Sequence, residues 1–237
     1  MAEHIVSSYD SDLQHLRRRI SEMGGIAEKM VVDSMTGLVR GDVQLAQTVI
    51  AADPRLDALQ REIEERAILT IARRQPLAVD LRETISAIRV SGDVERIGDL
   101  AKNIAKRTVA IAGQFQPQKI VVGLQHMSDL VLAQLKDVLD SYAQQDIAKA
   151  LDVWHRDGAI DALYTSLFRE LLTYMMEDPR NISFCTHLLF CAKNIERIGD
   201  HTTNIAETVH YLVTGETLAI DRPKNDTSID LPLDAGV

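Results

Sequence analysis

Carboxylates repeat in this chain at a spacing that suits them to hold a cation. Residues 93–99 read DVERIGD and residues 194–200 read NIERIGD, an offset of 101 residues between the two ERIGD cores. Each core is followed by Asn-Ile-Ala at the same distance, at Asn103 and at Asn204. Glu95, Asp99 and Asn103 therefore fall at i, i+4 and i+8, as do Glu196, Asp200 and Asn204. On an α-helix each step of four residues turns only about 40° further round, so each trio forms one stripe of oxygen-bearing groups. A second pair at i, i+4 precedes each stripe, Asp53/Asp57 in the first half and Asp157/Asp161 in the second. If the paired helices run antiparallel with these faces opposed, several carboxylates converge in each half. Like charges at this spacing repel by a few tenths of a kcal/mol per pair, and a bound cation turns that repulsion into attraction. Oxygen donors favour hard ions, so the candidates are Mg, Mn, Ca or Fe, with the borderline ion Zn a further one. The plainer reading is two solvated acidic helix faces, and repetition with the Asn and the DxxxD pairs attached is what separates the two.

The elements that must position these groups are helical. Apolar residues recur at helical period from about residue 8 to 39 (Leu13, Leu16, Ile20, Met23, Ala27, Met30, Val31, Met35, Leu38). Gly41-Asp42 ends that helix and caps the next. The spacing predicts a short helix over roughly 42–52 and a restart or kink at Asp53-Pro54, continuing to about Arg74. Gln75-Pro76 is a break, with Asp80 placed to cap the long helix that carries the first ERIGD to about Ala112. A loop at 113–117 follows, then a helix over about 119–143, and the plan repeats. Asp146 matches Asp42 and Asp157…Asp161 matches Asp53…Asp57 at an offset of 104, while Pro179 matches Pro76 at 103. Helix content is kept and only loops shorten, as expected of a duplicated unit. Trp154 is placed at the end of a short helix, packing across its bundle. The reading is all-α, with two tandem pseudo-symmetric three-helix bundles over 1–113 and 118–213, a short extra helix in each, and a disordered tail over 214–237.

Composition agrees with long helices. Of 237 residues 46% are hydrophobic but only 4% aromatic, with 12 Gly and 6 Pro. The net charge of −9 argues against nucleic acid as a partner. Cys185 and Cys191 form no CxxC and read as reduced, buried thiols. No apolar run reaches the roughly 20 residues of a membrane span, so a membrane link would go through partners. His187 and Cys191 at i, i+4 read as core, and the position after Glu95 and Glu196 that a di-iron Glu-x-x-His motif needs is Gly98 or Gly199. No P-loop, GxSxG or HExxH is present.

The doubled ERIGD…NIA, the DLR (80–82) that follows RRQP (73–76), and the two helical halves resemble the PhoU family, over about residues 5–213. The resemblance implies a cytoplasmic homodimer that does no catalysis. It implies an adaptor between the ATPase of the phosphate ABC transporter and a sensor histidine kinase, restraining phosphate uptake and the phosphate-starvation response. It also implies metal clusters on the bundle surface, carried here by Glu95/Asp99 and Glu196/Asp200. The competing expectation is a metal-dependent hydrolase using the clustered carboxylates. The halves differ beside the motif: Asp93 stands against Asn194, and Leu100 against His201.

Overall fold

A computed structural model describes residues 2–113 and 118–218. Its order is α1 (Ala2–Arg40), α2 (Val43–Arg74), α3 (Val79–Ala110), α4 (Gln118–Gln144), α5 (Ile147–Glu177) and α6 (Ile182–Thr214), with one 3-10 turn (Pro179–Asn181) before α6. No strand occurs among the described residues. The first three helices pack into one bundle and the last three into another, while α3 lies against α6 and α1 against α4. The tail predicted over 214–237 falls outside the described residues beyond Leu218, and α6 runs to Thr214 with Gly215 as its left-handed C-cap.

Matching caps start the second helix of each bundle. Asp42 accepts a hydrogen bond from the Leu45 amide (2.9 Å) and Asp146 accepts one from Lys149 (3.1 Å). The predicted short helices do not exist. The chain from Val43 runs unbroken through Pro54, and that from Ile147 runs unbroken to Glu177. Proline deletes one backbone bond, but Ala46, Val49, Asp53, Leu56, Leu59 and Ile63 are all buried, on both sides of Pro54. Keeping that face continuous outweighs the local loss. Asp80 is not the cap of α3 either: it sits in the first turn, and the cap position is Ala78, without a side-chain bond. Trp154 lies within α5 rather than at a helix end, 3% exposed.

One continuous core fills both bundles, and the glycines of the repeated motif let the helices into it. A Cβ on Gly98 would collide with Leu56 Cδ2 of α2. A Cβ on Gly199 would come within 3.0 Å of Ile160 Cδ1 of α5. Both glycines therefore set how closely the motif helix approaches its neighbour. Cys185 and Cys191 are free and buried, and burial pushes the Cys191 thiol up to about 12.

Candidate functional site

The two motif helices carry the acidic stripes and also form the seam between bundles. Contacts along α3 and α6 run in opposite order, so the seam is antiparallel. Near one end Arg89 stacks over Tyr211 (5.1 Å to the ring centre), and near the other Arg107 stacks over Phe190 (4.0 Å). Arg107 Nη1 also donates to His187 Nδ1 (3.2 Å). Between these ends Asp93 Oδ1 accepts from His201 Nδ1 (2.9 Å) and from Asn204 Nδ2 (3.3 Å).

In the first half the predicted carboxylates do meet. Lys102 Nζ lies between Asp53 Oδ2 (2.7 Å) and Asp99 Oδ1 (2.6 Å), bridging α2 to α3. Burial opposes the ammonium charge, but these two bonds outweigh it and leave the Lys102 pKa above its ordinary value. One turn away, Glu95 is held above the usual carboxylate range by burial, by the neighbouring charges of Asp99 and Asp57, and by a hydrogen bond with Asp99. Arg96 is exposed and reaches Asp99 (3.4 Å) and Glu95 (3.6 Å).

The second half uses the same positions with different neutralisation. The counterpart of Lys102 is Thr203, which donates to Asp157 Oδ1 (3.2 Å) and to the Gly199 carbonyl (3.2 Å). Its lysine comes instead from Lys193, whose Nζ donates to Glu196 Oε1 (2.7 Å) and sits 4.8 Å from the centre of the Tyr164 ring. Asp157, Asp161 and Glu196 are all buried, at 2%, 3% and 5% exposure. Burial raises the Glu196 pKa, and Asp200 and Asp161 add to this while Lys193 works against it. Glu196 Oε2 is buried with no hydrogen-bond partner.

The carboxamides do not join the stripes. The drift of about 40° per step carries Asn204 round to the seam, where it serves Asp93, and Asn103 stands exposed. His201, one residue on from Asp200 and so about 100° further round the helix, faces α3, where it meets Asp93. The donor set suits a hard cation, since three carboxylates approach one another in each half and one oxygen of Glu196 is unsatisfied. The arrangement is less favourable: among the described residues no three His, Cys, Asp or Glu side chains are disposed to enclose a metal ion. Lys102 and Lys193 occupy oxygens that such a shell would use. Both lysines were available to a sequence reading as i, i+3 partners, of Asp99 and of Glu196.

A cleft of about 550 Å³ opens between α2, α3 and α6. It is lined by Gln60, Gly92, Glu95, Arg96, Asn204 and Glu207 among others. Glu207 accepts from Trp154 Nε1 (3.2 Å).

The PhoU domain family model matches residues 20–108 and 124–209, one copy in each bundle. The phosphate-specific transport system accessory protein PhoU homolog of Rhizobium meliloti is 59% identical over 228 residues, 96% of each chain. The Caulobacter vibrioides protein of the same name is 51% identical over 226 residues, 95% of this chain and 98% of that one. Among solved structures, PhoU from Pseudomonas aeruginosa superposes with a TM-score of 0.85 at 38% identity, covering 88% of this chain and 100% of that one. The phosphate transport system regulatory protein PhoU from Streptococcus pneumoniae gives 0.83 at 27% identity, covering 90% and 100%. With both bundles matched and the motif helices placed at their seam, the chain belongs to the PhoU family.

Proposed function

We propose that this protein is a non-catalytic regulator of phosphate uptake. It acts in the cytoplasm as a homodimer, linking the ATPase of the phosphate ABC transporter to a sensor histidine kinase and restraining the phosphate-starvation response when phosphate is plentiful. The observation that carries this reading is the likeness along the whole chain to accessory proteins of phosphate-specific transport. The geometry supports it. The polar groups at the motif are spent largely on holding helices together, α2 to α3 through Lys102 and α3 to α6 through Asp93. That is the construction of a rigid docking body. No helix among the described residues is long and apolar enough to cross a membrane, which agrees with membrane contact made through partners.

A metal ion belongs to the proposal as a structural element. Glu95, Asp57 and Asp99 would hold it in the first half, and Glu196, Asp161 and Asp200 in the second. Bound there it would discharge the repulsion between carboxylates that burial intensifies. Elemental analysis of protein purified without chelator tests this part, and absence of stoichiometric metal would remove the ion from the reading. Deleting the gene tests the rest. Constitutive expression of phosphate-starvation genes is expected, and normal repression in high phosphate would overturn the regulatory role.

A further inference from the structure

The internal repeat serves as its own comparison, and it shows a lysine site filled in one half and vacant in the other. In the second half Lys193 of α6 lies across the notch beside Glu196, with its ammonium 2.7 Å from the carboxylate and 4.8 Å from the Tyr164 ring centre. At the motif offset of 101 the counterpart of Lys193 is Gly92, and the counterpart of Glu196 is Glu95. At the offset of 104 that relates α5 to α2, the counterpart of Tyr164 is Gln60. Gly92, Glu95 and Gln60 all line the 550 Å³ cleft. A Cβ built on Gly92 meets nothing within 4 Å. The cleft is thus the place where the second half keeps a lysine of its own.

We infer that this cleft receives a lysyl side chain from a partner polypeptide, its ammonium taking against Glu95 the position that Lys193 takes against Glu196. Charge and size favour that occupant. Three carboxylates (Asp93, Glu95, Glu207) line the cleft against two guanidiniums (Arg89, Arg96), and Arg89 lies over Tyr211 at the end of the seam. Asp93 is engaged by His201 and Asn204, and Glu207 by Trp154, at 2.9–3.3 Å; Glu95 shares a hydrogen bond with Asp99 and meets the exposed Arg96 guanidinium at 3.6 Å, the looser cation contact that an incoming ammonium would displace. A linear alkylammonium reaches such a carboxylate as a compact charge on a flexible stem. The cleft is larger than one side chain, and with their donors spent on Glu64, Asp93 and the Asn204 carbonyl, Gln60, Asn204 and Thr208 still offer acceptor oxygens to the N–H groups of a flanking backbone. This docking contact is independent of phosphate regulation, since its chemistry is the same whatever the partner signals.

The test is titration of the full chain, in chelator, with the capped tripeptide acetyl-Gly-Lys-Gly-amide, followed by ¹H–¹⁵N NMR. The Gly92 amide and the Trp154 indole N–H, which bonds the cleft residue Glu207, report on the site. Saturable shifts of both are expected. The same peptide acetylated on the lysine Nε, Glu95→Gln protein and Gly92→Lys protein should each weaken binding by about tenfold or more. Glu95→Gln keeps shape and removes charge, and Gly92→Lys fills the notch with an internal ammonium while improving helix propensity. Retained spectra of either variant show that it is folded. Equal binding of the acetylated and free peptides, no saturable shift, or unchanged affinity in both variants overturns the inference. Cadaverine binding as tightly as the peptide would overturn the polypeptide as the source.

Discussion

Replacing Gly98 with Ala should destabilise the protein although alanine is the better helix former. Removing glycine from a helix interior stabilises by about 0.5–1 kcal/mol. At Gly98 the new methyl would overlap Leu56 Cδ2, with Leu56 Cγ at 3.6 Å and Met30 Cε at 3.7 Å behind it. Leu56 is 0% exposed and Met30, behind it, 2%, so Leu56 cannot swing out to solvent to make room. Overpacking of this kind costs about 1–3 kcal/mol, and the overlap at Gly98 puts it in the upper part of that range, which leaves a net loss of up to about 2.5 kcal/mol. The other motif glycine separates the two effects. At Gly199 the nearest atom is the tip of Ile160 at 3.0 Å, which can yield by a few tenths of an ångström, so Gly199→Ala should lie within about 0.5 kcal/mol of the parent. At Gly92 nothing opposes the methyl, so Gly92→Ala should gain the full propensity term of about 0.5–1 kcal/mol. Urea unfolding monitored by circular dichroism measures all three, read as midpoints at constant slope. A double-mutant cycle closes the argument. Leu56→Ala alone should cost about 2–5 kcal/mol, and the pair with Gly98→Ala should cost less than the sum by at least about 0.5 kcal/mol, because the methyl then fills the vacated space. Gly98→Ala as stable as Gly92→Ala, or strict additivity with Leu56→Ala, would refute the close-approach role of Gly98.

Other outcomes follow from the charges. Glu95 has a raised pKa, so the neutral form is favoured on folding; its contribution to stability is present below the ordinary glutamate value and is lost as pH rises through the raised one. Glu95→Gln should therefore be more stable than the parent at neutral pH in chelator, with the difference closing as pH falls below about 4, measured by thermal unfolding across pH. Lys102→Met leaves Asp53 and Asp99 facing each other across α2 and α3 and should cost about 1–3 kcal/mol at pH 7. Asp93→Ala removes the acceptor of both His201 and Asn204 and should cost about 1–2 kcal/mol, strongly non-additive with His201→Gln and additive with Lys102→Met. The Cys191 thiol, buried and pushed up to about 12, should resist alkylation by iodoacetamide at pH 8 until the protein is unfolded, as mass spectrometry would show.

The helices were legible because their apolar spacing is local information: Leu13 to Leu38 on α1 reads as one stripe, and Asp42 and Asp146 are N-caps by residue type alone. The misreading at Pro54 is equally physical. Sequence rules register the deleted backbone bond, whereas the buried face on both sides of it is settled only by packing against α1 and α3. The acidic stripes were legible as far as the carboxylates go, since the i, i+4 pairs on α2 and α3 do oppose one another in antiparallel order. What joins them was not. The engagement of Asp93 by His201 spans 108 residues and depends on the angle at which α3 crosses α6, which no local pattern encodes. Asn103 and Asn204 repeat in sequence yet differ in setting, because only Asn204 has an aspartate opposite; the residue matching Asp93 in the other repeat is Asn194.

Gly92 and Lys193 occupy equivalent places, and that pairing says something about why the two bundles share one polypeptide. A dimer of identical single bundles is bound by its symmetry: whatever residue stands at that place in one subunit stands there in the other, so both notches are plugged or both are open. Fusing the copies releases them from that rule. Each can then accumulate its own substitutions, and one flank can be sealed for rigidity while the other stays available to a visitor. In this molecule the tandem arrangement matters less as a means of doubling a site than as a means of making two copies unlike, which gives an otherwise two-faced body a front and a back.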